Sequence, residues 1–359
     1  MKKLLILAAA ALAACSTQQP PAANNNLPQA PAAQKTGGIQ KPAFDAAAES
    51  VASSGFPANT NVQNFIRYQT AQKRFSAEEL NHFFDNAVYK GNIINIMYRP
   101  ATSRPWYEFE KGNSGAAKFN GGRQFYAANR AVIDDVARRY GVPAGLIVAI
   151  IGIETNYGKN TGSFRVSDAL ATLGFDYPRR ADFFQDELGE LLQMAKEEQR
   201  DVFSFKGSYA GAMGMPQFMP SSFRKWAVDY DGDGHRDIWN NIGDVAASVA
   251  NYMKQHGWQS GGKMIVPVKL NPTPHLQAII DEKTALTRTV ADFKALGVVP
   301  QEAVADSEKA VLYRLETAPN VYEYYLGLNN FYSVWKYNNS RMYVTAVRNI
   351  ANAVAGSGL

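Results

Sequence analysis

The chain has 359 residues, 46% of them hydrophobic and 12% aromatic, enough apolar mass for a full core and two or three domains. Its formal net charge is +5 with no run of Lys or Arg, so nucleic acid is not indicated as a partner. A single cysteine, Cys15, excludes an internal disulfide.

The first residues carry Lys2 and Lys3, then an apolar stretch over 4–14. That stretch is too short for a bilayer, which takes about 20 residues, and fits an export signal. Leu12-Ala-Ala-Cys15 resembles the lipobox of bacterial lipoproteins. The resemblance implies that 1–15 is a signal peptide ending at a lipidated Cys15. Ser16 in the next place implies sorting to the outer membrane, facing the periplasm of a Gram-negative bacterium. Several acyl chains on one residue give stable anchoring where one is marginal. Residues 16–42 are rich in Pro, Ala, Gln and Asn and predict a disordered tether.

A helical domain is expected over 43–140. Ser76-Ala-Glu-Glu79 is a capping box and predicts a helix through residue 90. Pro100, Pro105 and the Gly/Ser-rich stretch 112–122 interrupt the regular structure. A second long helix is predicted over 124–140, ending at Gly141.

The next stretch, 141–158, organises the rest. Pro143 suits a first helical turn and Gly158 the position just past the last. Residues 146–153 are apolar on every side, the mark of a buried helix. Glu154 shares a face with Ile147, Ile150 and Ile151. One reading is a carboxyl whose dry surroundings keep it protonated, fit for general acid work. The other is a Glu at the wet end of the helix.

A core is expected over 141–260. Asp168 is placed to cap a helix at 169–173, and Tyr177-Pro-Arg-Arg180 is a turn with two adjacent cations. A helix is predicted over 181–200. Residues 207–220 are small and irregular, suited to close backbone approach to a ligand, and Ser221 opens another helix.

Asp229-Tyr-Asp231-Gly-Asp233-Gly-His235-Arg-Asp237 matches the front half of an EF-hand loop. Asp229, Asp231 and Asp233, with the His235 carbonyl, predict a structural Ca²⁺ site. Position 12 is Asn240 in place of Glu, which leaves Asp244 to close the loop late. After Trp258 the character changes. Runs at 264–270, 310–315, 321–326 and 331–335 predict strands of a small antiparallel β domain over 261–336. The C-terminal segment 337–359 returns to helix over 341–355. The fold class is mainly α (α+β).

No other catalytic set is present. His82, His235, His256 and His275 form no metal motif. There is no Gly-x-Ser-x-Gly elbow, and the Gly-rich stretch 207–214 lacks the ending of a phosphate-binding loop, so no organic cofactor is implied.

Glu154-Thr-Asn-Tyr-Gly158, Asp168-Ala-Leu-Ala-Thr-Leu173, Asp176-Tyr-Pro-Arg-Arg180, Lys206-Gly-Ser-Tyr-Ala-Gly-Ala-Met-Gly214 and Gln217-Phe-Met-Pro-Ser-Ser222 resemble the membrane-bound lytic murein transglycosylase B family. The resemblance spans about 60–355. It implies a lysozyme-like α core with a helical domain and a small β domain, acting on the glycan strands of peptidoglycan. It implies that Glu154 is the sole catalytic acid/base. Ser208, Gln217, Phe218, Tyr252, Tyr337, Asn338 and Tyr343 then position the sugar. Arg179 and Arg180 face its acidic, peptide-bearing substituent. Phe109 stands where a Tyr is expected upstream and is not assigned as a ligand.

Most glycosidases use two carboxylates. Asp168 and Asp176 are better explained as cap and turn residues, so this chain offers one acid. Such a site must borrow its nucleophile from the substrate, and the resemblance implies that the product carries a 1,6-anhydromuramic end. The rival readings are a hydrolytic muramidase, a non-enzymatic peptidoglycan-binding lipoprotein and a calcium sensor. The last is weakened by the lack of a second loop to pair with the first.

Overall fold

The structure is a computed structural model that describes residues 40–99, 104–282, 284–356 and 358–359. Cys15, its signal segment and nearly all of the tether lie outside the described residues. The described residues form two compact units, the first from 40–99, 163–212 and 219–221, the second from 104–162, 213–218 and 222–359.

In the first unit, side-chain caps start the helices where the sequence offers them. Asn59 caps Thr60–Ala71, and the Ser76/Glu79 box caps Ala77–Asn86. Phe56, Phe65, Phe84 and Phe175 form its aromatic core, mostly edge to face, with ring centroids 5.4–6.5 Å apart. The helix expected over 76–90 stops at Asn86, and another runs Gly91–Met97. The cause is competition for backbone donors. The N–H of Val88 goes to the Asp168 carboxylate (3.0 Å) and that of Lys90 to the Thr172 hydroxyl (3.0 Å).

Asp168 is not the cap expected of it. Its helix begins two residues earlier, at Val166–Asp176, which puts Asp168 inside the first turn. There it is 1% exposed and also accepts from Arg165 (2.9 Å), with Lys90 3.6 Å away. Asp176 accepts from the hydroxyls of Ser50 (2.7 Å) and Tyr89 (2.5 Å). Both carboxylates are committed to holding this unit together. A short ladder joins β1 (Phe164–Arg165) to β2 (Lys206–Gly207), and Ala181–Glu197 packs along Val166–Asp176.

In the second unit the Ala144–Thr155 helix is the centre. Residues 145–153 are all buried. Arg341–Ala355, Ala116–Ala128, Arg130–Tyr140 and Ile242–Gln255 pack around it. Its apolar surface belongs to a core, and among the described residues no single helix is long and apolar enough to span a membrane.

The helix expected over 124–140 is two helices, Ala116–Ala128 and Arg130–Tyr140, broken at Asn129. The Gly-rich stretch expected to interrupt the chain does so only at Ser114 and Gly115 and is helical on either side. Its glycines serve close packing: a Cβ on Gly121 would lie 2.8 Å from the Tyr157 ring, and one on Gly122 2.5 Å from Val354.

The rest of this unit is a five-stranded antiparallel sheet built from β3 (Ile265–Lys269), β4 (Arg288–Thr289), β5 (Val299–Pro300), β6 (Lys309–Ala318) and β7 (Val321–Gly327). Its order is β4-β6-β7-β3-β5. Leu276, Ile279 and Ile280 of Pro274–Asp281 and Val290 and Phe293 of Val290–Ala295 share a core with Val266, Leu312 and Leu326 of the sheet.

The strand expected over 331–335 is instead the helix Asn329–Trp335. A short apolar run is ambiguous by periodicity alone. Here Phe331 folds over Gly327, where a Cβ would lie 2.6 Å from its ring, and stacks on Tyr313 at 5.0 Å.

Gly152, on the Ala144–Thr155 helix, has room for no side chain, since a Cβ would fall 2.4 Å from the Tyr157 ring. Gly152→Ala is expected to destabilise the protein by about 2 kcal/mol through overpacking, read as a lowered melting temperature.

Candidate active site

Glu154 sits in the last turn of the Ala144–Thr155 helix. The helix stops by an unusual device. Asn156, Tyr157 and Gly158 all take positive φ, at 53°, 61° and 80°. Left-handed backbone at two consecutive non-glycine residues is costly and persists only where the surroundings impose it. The cap is therefore Asn156, whose N–H returns to Gly152, and not Gly158 as expected. Pro143 likewise stands just before the first turn, in extended backbone.

Five hydrogen bonds hold the reversal. The Tyr157 hydroxyl donates to the Lys118 carbonyl (2.6 Å). The Lys118 ammonium donates to the Gly152 carbonyl (2.7 Å) and to Asn156 Oδ1 (3.3 Å). The Gly158 N–H donates to the Thr155 hydroxyl (3.0 Å), which in turn reaches the Met215 carbonyl (3.2 Å).

The Glu154 carboxyl accepts one strong hydrogen bond, from the Tyr343 hydroxyl at 2.7 Å. Burial pushes its pKa up from 4.5 to about 7, against the opposing pulls of that hydrogen bond and of the Lys118 charge. Among the described residues no other carboxylate is one of the groups acting on it. The residue itself is half-buried, at the end of a helix whose residues 145–153 are all buried.

Aromatic rings extend from this point. Tyr343, on Arg341–Ala355, is parallel to Tyr337 at 6.5 Å. Tyr337 meets Tyr252 edge to face at 4.7 Å, and Phe218 lies 5.8 Å from Tyr252 and 6.1 Å from Tyr337. Their hydroxyls are pinned, Tyr337 to the Pro216 carbonyl (2.5 Å) and Tyr252 to the Lys336 carbonyl (2.9 Å). Burial raises the pKa of Tyr337 and Tyr343, with the Glu154 charge adding to it, so both stay protonated as donors. Gln217 takes φ 53° and donates to the carbonyls of Gly214 (2.9 Å) and Thr161 (3.2 Å).

Of the residues singled out in the sequence, Glu154, Gln217, Phe218, Tyr252, Tyr337, Asn338 and Tyr343 fall in the second unit. Glu154, Tyr343, Tyr337, Tyr252 and Phe218 join one network, Gln217 bonds to the backbone beside Phe218, and Asn338 is the half-buried residue after Tyr337. Ser208, Arg179 and Arg180 belong to the first unit. There Ser208 accepts from the N–H groups of Ala210 (3.3 Å) and Ala212 (3.0 Å). Arg179 lies over the Tyr98 ring at 5.0 Å and Arg180 over Phe183 at 4.1 Å. Phe109 packs on Trp106 at 6.0 Å. Sequence reasoning missed Lys118. A single Lys in a Gly-rich stretch carries no motif, and only the packing brings its ammonium to the Glu154 turn.

The acidic loop closes in the second unit. Oxygens of Asp229, Asp231 and Asp244 lie within 4.8 Å of one another. Asp244 is fully buried and accepts from the N–H groups of Tyr230 and Asp237, both at 2.8 Å. Burial raises its pKa, and the charges of Asp231 and Asp229 raise it further. Three hard carboxylate donors that repel one another fit a divalent cation such as Ca²⁺. Asp233 and His235 fall outside this group; Asp233 Oδ1 accepts from the His235 N–H (2.8 Å).

Over residues 57–352 the chain matches the family described as the transglycosylase SLT domain. It is 37% identical over 310 residues to the membrane-bound lytic murein transglycosylase B of Escherichia coli K12, covering 84% of each chain. Its fold matches the catenated lytic transglycosylase SltB1 of Pseudomonas aeruginosa with a TM-score of 0.79 and 40% identity, over 84% of this chain and 98% of that one. It matches the Escherichia coli lytic transglycosylase Slt35, solved in complex with calcium, with a TM-score of 0.75 and 35% identity, over 86% and 97%. The chain belongs to this family: it is an enzyme, a lytic transglycosylase of lysozyme-like fold acting on peptidoglycan. The reading as a non-enzymatic binding lipoprotein is thereby overturned.

The Tyr343 hydrogen bond favours the charged form of Glu154, so its removal favours the neutral form. Tyr343→Phe is expected to move the Glu154 titration above 7, followed by carboxyl ¹³C NMR, with the alkaline limb of activity moving the same way.

Proposed function

We propose that Glu154 is the single acid/base of the reaction. The observation that carries this reading is its half-buried carboxyl at the end of a fully buried helix, held by Tyr343 at 2.7 Å, where burial pushes its pKa up to about 7. At neutral pH a large share of the molecules then hold the proton that the first step needs.

Glu154 gives this proton to the glycosidic oxygen between N-acetylmuramic acid and N-acetylglucosamine. The C1–O bond breaks, and the muramic N-acetyl oxygen supports the positive charge that develops at C1. Glu154, now a carboxylate, takes the proton from O6 of the same sugar. O6 closes onto C1, and the product carries a 1,6-anhydro end. The proton returns to Glu154 and no water is consumed. Tyr343 supports the carboxylate between the two transfers. One carboxylate suffices because the substrate supplies the nucleophile, in contrast to the paired acids of most glycosidases.

Gln217, Phe218, Tyr252, Tyr337 and Asn338 line the sugar's path beside Glu154 and Tyr343. Ser208 assists from the chain's Gly-rich stretch, and Arg179 and Arg180 meet the acidic substituent. Ca²⁺ binds at Asp229, Asp231 and Asp244, with Asp233 and the His235 carbonyl as further ligands of the loop, in a structural role. The calcium complex of the Escherichia coli relative and the converging carboxylates support this. The membrane-bound relative supports attachment to a membrane. The lipobox-like Leu12-Ala-Ala-Cys15 is the anchor, holding the enzyme at the outer membrane within reach of peptidoglycan.

Glu154→Gln keeps the shape of the side chain and removes the proton. It is expected to abolish solubilisation of purified sacculi, a loss of at least about a thousandfold. Wild-type products should be lighter by one water than those of a hydrolytic muramidase, as read by mass spectrometry. Full activity of the variant would refute the assignment. Added Ca²⁺ should raise the melting temperature of chelator-treated enzyme, and Asp244→Asn should remove that response.

A further inference from the structure

The Ala116–Ala128 helix sends one charged group to the turn that carries Glu154. Lys118 is partly buried, and two of its ammonium hydrogens are taken by the Gly152 carbonyl (2.7 Å) and Asn156 Oδ1 (3.3 Å). Its own carbonyl accepts from the Tyr157 hydroxyl (2.6 Å), and its ammonium lies 5.9 Å from the centre of that ring. One residue thus holds both ends of the left-handed reversal, on either side of Thr155.

We propose that Lys118 is a positioning residue for the reaction: it clamps the turn that aims Glu154, and its partly buried cation supports the carboxylate that Glu154 becomes between the two proton transfers. The proposal rests on Glu154 being the acid/base.

A neutral donor would cap these carbonyl groups as well. Retaining a cation here is expensive, because burial favours the uncharged amine and brings the Lys118 pKa down to about 8. The charge of Glu154 opposes that fall, and the charge of Lys118 holds Glu154 down in turn. The coupling is reciprocal, as two charges in one enclosed space must be.

The remaining groups around Glu154 contribute differently. Tyr343 on Arg341–Ala355 donates a hydrogen bond, and Tyr337 and Tyr252 are raised phenols that carry no charge at neutral pH. On Arg130–Tyr140, Arg130 pairs with Asp134, and Arg138 and Arg139 pair with Asp135. On Ile242–Gln255, Asp244 is held by backbone N–H groups of the acidic loop, and Lys254 lies over Tyr140. Lys118 is the cation acting on the carboxyl among the described residues.

The test compares Lys118→Met, Lys118→Arg and wild type in digestion of purified sacculi across pH. Lys118→Met should lose about tenfold in rate at its optimum through misplacement of the acid. Its alkaline limb should shift upward by about one pH unit, because an opposing charge has gone. Lys118→Arg keeps the charge and should restore the limb to the wild-type position. A loss of rate with the limb unmoved in Lys118→Met would mean a packing role only and would overturn the proposal.

Carboxyl ¹³C titration of Glu154 in Lys118→Met reads the coupling without activity. A shift there, combined with an active Glu154→Gln enzyme, would sink the catalytic reading and leave the coupling standing. If Lys118→Met does not fold, the reciprocal measurement decides. In Glu154→Gln the Lys118 ammonium should titrate lower than in wild type, and an unchanged titration would overturn the proposal.

Discussion

A carboxyl at the end of a helix that is apolar on every side is the constraint around which the second unit is built. Moving the Glu154 pKa from 4.5 to about 7 corresponds to about 3 kcal/mol against its charged form. The folded state therefore holds a proton that the unfolded chain releases between these two values. Because the folded pKa is the higher one, stability falls as pH rises through that window and levels off above it. The fold tolerates this because the helix beneath is a dense core, with 145–153 all buried. An exposed Glu would have given up its proton well below neutral pH.

Three aids keep the penalty from growing until Glu154 could not ionise at all. Tyr343 gives it a hydrogen bond, Lys118 gives it a neighbouring positive charge, and the left-handed reversal after Thr155 fixes its place. The reversal is stiff because it stores strain at Asn156 and Tyr157 and is held by contacts from the Ala116–Ala128 helix. The glycines at 121, 122 and 152 belong to the same arrangement. Each stands where a neighbouring side chain, Tyr157 or Val354, comes too close for a Cβ. Strain, glycine spacing and proton affinity are thus one design in this unit.

The pinned tyrosines form a fixed aromatic cluster beside Glu154. Tyr337 and Tyr252 spend their hydroxyls on backbone carbonyl groups. The acidic loop plays a separate part in the unit. Asp244 opens the Ile242–Gln255 helix and ties back to Tyr230 and Asp237, so the loop and the helix that carries Tyr252 are joined at one buried carboxylate.

Local pattern made several of these features legible. The apolar run before Glu154, the Ser76/Glu79 box, the spacing of Asp229 and Asp231, and three of the sheet's strands all lie within single elements, where periodicity and capping chemistry act. The order of motifs also carried the family. What only the tertiary structure decided depends on partners far along the chain. The helix after Ser76 stops at Asn86 because Asp168 and Thr172 take the next backbone donors. Asn329–Trp335 is a helix because Phe331 must cover Gly327 and Tyr313. Glu154 could be singled out as an acid from its own neighbours. The hydroxyl that holds it comes from 189 residues away, and the lysine that balances it comes from a stretch with no motif at all. Spacing along a chain records what one helix or loop wants, whereas a proton's affinity is set by whatever charges and dipoles folding brings within a few ångströms.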